Sequence, residues 1–193
     1  MLAITIALFL ALFAPKPAQA SVDPALAGKQ AEQKISALGD EAIAVLDATQ
    51  GDDTARRQAF ENILNNNFDM ETIARFAMGR YWAVATPDEQ KRYTQLFNKM
   101  VVDVYSNRFS EYSGQKFEVL GNKPAGRHDV VVQSQIIPAN GKPIKVEWRL
   151  RKNKVIDVIV EGVSMSVTQR SEFASIIQRG GGEVAALISH LEK

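Results

Sequence analysis

The 193-residue chain has no cysteine. That absence removes thiol nucleophiles, disulfide staples, cysteine-bound zinc and iron–sulfur clusters together. Histidine is almost as scarce: only His128 and His190 occur, so a multi-histidine metal site is excluded. Neither sign of charge is in excess, with 23 Lys and Arg against 22 Asp and Glu. A nucleic-acid binder needs a basic surplus to displace counterions from phosphates, and none is present. Long apolar runs are missing too. From Ile4 to Ala14 the chain is apolar but for Thr5, a stretch too short to span a bilayer as a helix. What remains, 46% hydrophobic and 23% charged residues, is the composition of a globular chain that buries a core. It excludes a disordered tail, a collagen and a polytopic membrane protein.

The short apolar stretch is followed by Pro15, Pro17 and the small-residue pattern Ala18-Gln19-Ala20. This reads as a secretory signal peptide over residues 1–20, cut after Ala20, although Met1-Leu2-Ala3 offers no Lys or Arg. Residues 21–193 are then expected to form a single domain outside the cytoplasm, where no ATP is at hand. No cysteine lies near the cut to carry a lipid anchor.

Helical periodicity dominates the first half. Asp23-Pro24 is a helix start, and Ala31, Ile35, Leu38, Ala42, Ile43 and Leu46 recur at helical spacing up to Gly51. A second helix follows Asp53-Thr54 with Phe60, Ile63 and Leu64 on one face, ending at Asn65-Asn66-Asn67. Asp69 caps a third, in which Met70, Ile73, Phe76 and Ala77 form a stripe that stops near Gly79. Thr86-Pro87-Asp88-Glu89 is a capping box with proline at the first helical position. It predicts a long helix through Tyr93, Phe97, Val101, Tyr105, Phe109 and Tyr112 to Gly114.

After Gly114 the period drops to two. Four runs, Lys116–Leu120, Asp129–Ile137, Ile144–Arg151 and Val155–Glu161, predict an antiparallel meander joined by an Asn140-Gly141 turn and a Lys152-Asn153 turn. In the third run Ile144, Val146, Trp148 and Leu150 share one face and Lys145, Glu147, Arg149 and Arg151 the other, so one face is apolar and the other wet. Two short helices close the chain, one carrying Phe173, Ile176 and Ile177, the other Val184, Leu187, Ile188 and Leu191. The pattern predicts an α+β fold in which a four-stranded curved meander is covered on one face by N- and C-terminal helices, an NTF2-like plan.

Reactive chemistry is hard to find. Gly162-Val163-Ser164-Met165-Ser166 lacks the last glycine of a nucleophile elbow, and reads as a strand leaving the sheet with Ser164 or Ser166 capping the next helix. Gly180-Gly181-Gly182 follows a helix and lacks the Lys of a phosphate loop. Asp52-Asp53 and Asp88-Glu89 sit at helix starts, where the dipole accounts for them. Neither a catalytic residue nor a metal ligand is assigned. The apolar stripes are the strongest feature, and periodicity alone does not separate a solid core from the lining of a cavity.

Several segments resemble a known family. Gly79-Arg80-Tyr81-Trp82, Ala85-Thr86-Pro87-Asp88-Glu89-Gln90 running into Phe97 and Tyr105, Tyr112-Ser113-Gly114-Gln115, Arg151-Lys152-Asn153 and Glu161-Gly162-Val163-Ser164-Met165 are similar to the MlaC (toluene-tolerance) family of periplasmic phospholipid-binding proteins. The resemblance covers roughly residues 24–191. It implies a periplasmic carrier, with no cofactor beyond its phospholipid cargo, that shuttles lipid between an outer-membrane lipoprotein complex and an inner-membrane transporter with an MCE-type subunit, maintaining outer-membrane lipid asymmetry. It implies no contact with nucleic acid, and a monomer. It also implies acyl chains inserted in an apolar cavity between sheet and helices, with the headgroup at the mouth.

Inward positions of the matching segments are the lining candidates: Phe76, Tyr81, Phe97, Val101, Tyr105 and Phe173 from the helices, Val146, Trp148, Val158 and Val160 from the strands, and Met165 between them. Arg149, Arg151, Lys152 and Val163 are the candidates for rim and partner contact. Three alternatives stand beside this reading: a carrier of another lipid such as a hopanoid, a secreted NTF2-like enzyme with Asp157 as its pocket carboxylate, and a ligand-free adaptor with a dense interior.

Overall fold

A computed structural model describes residues 24–108 and 114–193. The expected signal peptide, the Asp23 cap, and Phe109, Tyr112 and Ser113 fall outside the described residues. Four helices come first: α1 (Pro24–Ala48), α2 (Asp53–Asn67), α3 (Met70–Met78) and, after a 3-10 turn over Gly79–Ala83, α4 (Pro87–Arg108). Their starts are built as their sequences dictate. Asp52 accepts a hydrogen bond from the Ala55 amide at 2.9 Å, and Asp69 from the Thr72 amide at 3.0 Å. At α4 the box closes in both directions: the Thr86 amide donates to Glu89 Oε2 at 2.8 Å and the Glu89 amide to Thr86 Oγ1 at 3.3 Å.

The sheet follows as β1 (Lys116–Ala125), β2 (Asp129–Ile137), β3 (Ile144–Arg151), β4 (Lys154–Val160) and β5 (Val163–Ser164), each antiparallel to the one before. Two details differ from the expected four-stranded meander. β1 continues five residues past Leu120, through a register shift between Val119 and Gly121. Gly121 and Pro124 interrupt the alternation there, which hides the continuation from a period-two reading. The fifth strand is only two residues long. It folds back on β4 through Glu161 and Gly162, whose φ values of 49° and 80° form the tight turn that suits a twisted hairpin. Ser164 then caps α5 (Met165–Arg179) by accepting from the Val167 amide at 3.1 Å, and α6 (Val184–Leu191) ends the fold.

Two cores result. In the first, α3, α4, α5 and α6 bury Met78, Tyr81, Tyr93, Phe97, Phe173 and Ile177 against one another. Its rings meet edge to face, Tyr93 on Phe173 at 5.9 Å and Phe97 on Phe173 at 6.2 Å between centroids. Tyr93 donates its hydroxyl proton to the Ala74 carbonyl at 2.9 Å, and burial drives its pKa far above the ordinary phenol value. In the second core, α1 and α2 lie over the apolar face of the sheet, with Ile35, Leu38, Ile63, Val132, Leu150 and Val155 buried between them.

α1 runs antiparallel to β1: Gly28 lies against Asn122 and Gly39 against the ring of Phe117. The C-terminal end of α1 and the start of α2 therefore reach the end of the sheet where β1 begins. At the other end Phe68 bridges to Val155, and the Asp69 amide donates to the Val155 carbonyl at 2.9 Å, closing the layer.

Candidate functional site

The second core is not filled. A cavity of about 500 Å³ lies between α1, α2 and the apolar face of the sheet. Leu38, Ala42, Ile43 and Leu46 line it from α1, and Phe60 and Ile63 from α2. Phe117, Ile136, Val146, Trp148, Val158 and Val160 line it from the sheet. Phe68 forms part of its closed end, and Ile144, which is exposed, marks the opposite end as the opening.

The polar lining is sparse and gathers toward that opening. Arg56 at the start of α2, Tyr105 near the end of α4, and Gln115 and Lys116 at the start of β1 belong to it. The side chain of Arg56 is 9% exposed, and its guanidinium donates to the Thr49 carbonyl at 3.3 Å and pairs with Asp53 Oδ1 at 3.0 Å. Beside it Arg57 pairs with Asp103, which holds α2 to α4. Farther in, Trp148 is fixed rather than loose. Its indole N–H donates to Ser134 Oγ at 2.9 Å, Ser134 Oγ in turn donates to the Val146 carbonyl at 3.0 Å, and Phe117 meets the indole edge-on at 6.2 Å. The single polar atom of that ring is satisfied, so its surface faces the cavity as hydrocarbon.

Five of the eleven lining candidates from the sequence lie in this cavity: Tyr105, Val146, Trp148, Val158 and Val160. The other six do not line it. Tyr81, Phe97 and Phe173 are buried in the solid helical core, and Val101 packs against it. Phe76 is exposed with Arg170 over its ring, and Met165 opens α5. The reason is physical: two apolar stripes of equal quality exist, and the more aromatic one packs helix on helix. The α1 and α2 lining was legible as amphipathic stripes but not assigned to a cavity. Arg56 left a readable signal, because it sits four and seven residues before Phe60 and Ile63 on the same helical face, where an apolar residue is expected.

The candidates for rim and partner contact lie apart from this cavity. Arg149, Arg151, Lys152 and Val163 are absent from the cavity lining. β3 ends at Arg151, at the closed end, and both arginines turn to the wet face, where they bind Asp129: Arg149 Nε donates to Oδ2 and Arg151 Nε to Oδ1, each at 2.7 Å. Lys152 forms the β3–β4 turn with a φ of 47°, and Val163 is exposed in β5. Asp157, the candidate for an enzyme pocket, is outside the cavity lining as well. Its Oδ2 accepts from Ser164 Oγ at 2.6 Å and its Oδ1 from the Ser166 amide at 3.1 Å, which makes it a brace for the entry to α5. Among the described residues no cluster of carboxylates and histidines forms a metal-binding group, and no helix is long and apolar enough to cross a membrane.

An apolar sleeve with a cationic lip can take up hydrocarbon. Comparison with known proteins agrees in kind. Residues 36–193 match the family model described as MlaC protein. The toluene tolerance protein ttg2D of Pseudomonas putida is 28% identical over 131 residues, 65% of this chain and 61% of that protein. The intermembrane phospholipid transport system binding protein MlaC of Haemophilus influenzae is 23% identical over 145 residues, 71% of this chain and 67% of that protein. The chain thus spans about three fifths to two thirds of these relatives' lengths. Among solved structures, the phospholipid-binding protein from Ralstonia solanacearum, in complex with a phospholipid, superposes with a TM-score of 0.74 at 25% identity, covering 84% of this chain and 94% of that one.

Proposed function

The chain belongs to the MlaC protein family, and from that premise we propose that it binds a phospholipid by its acyl chains and carries it through the periplasm. In this reading it exchanges lipid with an outer-membrane lipoprotein complex and with an inner-membrane transporter bearing an MCE-type subunit. The observation that carries the proposal is the cavity between α1, α2 and the sheet, lined almost wholly by hydrocarbon.

The energetics require such a chamber. Exposing two acyl chains of about sixteen carbons to water costs on the order of 20 kcal/mol, so lipid does not cross an aqueous space unescorted. A carrier needs no reacting group, and differential affinity among donor, carrier and acceptor sets the direction. Volume bounds the cargo. At about 500 Å³ the cavity is in the range of sites that enclose a small organic ligand or an acyl chain.

Native mass spectrometry of protein purified from cells tests the reading. The expected spectrum carries a mass increment equal to one phospholipid, identified after extraction. A clean ligand-free mass under gentle conditions overturns the proposal.

A further inference from the structure

We propose that Arg56 and Lys116 form a phosphate seat at the mouth of the cavity, so that the protein selects lipids by an anionic phosphodiester as well as by their chains. This rests on the lipid-carrier reading and adds a specificity that the apolar lining alone does not supply.

Three observations carry it. First, Arg56 is a charged side chain buried in a lining that is mostly hydrocarbon, and a buried charge is costly unless paired. Its only ion-pair partner among the described residues is Asp53, whose side chain is 89% exposed and competes with water for it. A guanidinium offers five N–H donors in a planar fork, and Thr49 and Asp53 engage a minority of them. Second, Lys116 lies in the same lining, at the end of the sheet to which α1 and α2 bring Arg56, and it makes no ion pair among the described residues. Third, the charges balance. Arg56 and Lys116 against Asp53 leave one positive charge, the complement of one phosphodiester. The deep end, at Phe68 and Ile63, has no cation, so the polarity of the cavity runs with the polarity of a phospholipid: tails inward, phosphate at the lip.

The test uses the full-length purified protein, stripped of lipid and offered vesicles in which the probe is phosphatidylglycerol, diacylglycerol with the same chains, or the free fatty acid. Uptake of phosphatidylglycerol should exceed that of diacylglycerol by about tenfold or more, the scale of a charge-assisted hydrogen bond, and the preference should fall as salt rises. Arg56→Gln and Lys116→Gln should each lower uptake of phosphatidylglycerol more than that of diacylglycerol, and so erase most of the preference. Lys116 is exposed, so its variant keeps the test valid if Arg56→Gln fails to fold. Asp53→Asn, which removes the competing carboxylate, should strengthen the preference. Equal uptake of phosphatidylglycerol and diacylglycerol by the unaltered protein overturns the phosphate seat and leaves the lipid carrier intact. Fatty acid taken up as well as phosphatidylglycerol overturns it in favour of a general anion site. Failure to take up any of the three removes the carrier reading and this proposal with it.

Discussion

The helical core and the sheet core use the same periodic stripes to opposite ends. Between α3, α4, α5 and α6, the rings of Tyr93 and Phe97 each meet Phe173 edge to face and fill the space. Between α1, α2 and the sheet, side chains meet around a void of about 500 Å³. A helix pair can close on itself until its ridges interlock, whereas a curved sheet sets a span that two helices must bridge. Stability is therefore concentrated in one half, and the other half is free to hold something. Protein interiors do not ordinarily leave such volumes empty, so the hollow half reads as a site and the solid half as its foundation.

Truncation breaks the comparison most directly. Phe97→Ala opens a cavity where none exists, and should cost about 3–5 kcal/mol in urea unfolding. Val160→Ala removes hydrocarbon from a wall that already borders empty space, and should cost about 1 kcal/mol or less. Equal losses would mean that the sheet half is as tightly packed as the helical one.

A sharper version adds atoms instead of removing them. A Cβ on Gly180 would lie 2.2 Å from Ala186 Cβ, an atom fixed to the α6 backbone, so Gly180→Ala should push α6 away and cost about 1–3 kcal/mol. A Cβ on Gly39 would lie 2.2 Å from Phe117 Cδ1, but that ring can swing into the cavity. The gain in helix propensity, about 1 kcal/mol, offsets much of the strain, so Gly39→Ala should leave stability nearly unchanged. Its cost falls on capacity: the bound lipid seen by native mass spectrometry should decline. A Gly39→Ala protein that is strongly destabilised would show that Phe117 has nowhere to go.

Much of this division was legible in the sequence, and its limits are instructive. The capping box at Thr86, the cap at Asp69 and the wet face of β3 are local signals, and each is built as read, while the cap of α5, open between Ser164 and Ser166 in the sequence, is Ser164. β5 and the second half of β1 were missed because two residues and a bulge fall below the reach of a period-two pattern. The cavity residues on β3 and β4 were legible from alternation once one face was known to look inward. Tyr81, Phe97 and Phe173 were assigned to the cavity because periodicity gives a stripe its face but not its partner. Only the path of the chain decides which stripe closes on helices and which spans a sheet.

The smallest predicted effect concerns what stiffens a sheet that is hollow on its inner side. Its support comes from outside, where Asp129, with 3% of its side chain exposed, binds Arg149 and Arg151, and Glu147 binds Lys123 and Gln133. The hydrogen bond from Arg151 leads in holding the Asp129 carboxyl below the usual carboxylate range, and that from Lys123 does the same for Glu147. A carboxyl whose pKa is lower folded than unfolded adds stability in full above its unfolded value, about pH 4, and loses it as pH falls through the folded one. The buried aromatic residues of the helical core carry no such group. Acid below about pH 4 should therefore loosen β2 and β3 before α4 and α5. Hydrogen exchange, corrected for its intrinsic pH dependence, should show protection falling first in those strands, and Asp129→Asn should flatten that acid limb. Simultaneous loss in both halves would mean that the ion pairs support the whole molecule and not the hollow half alone.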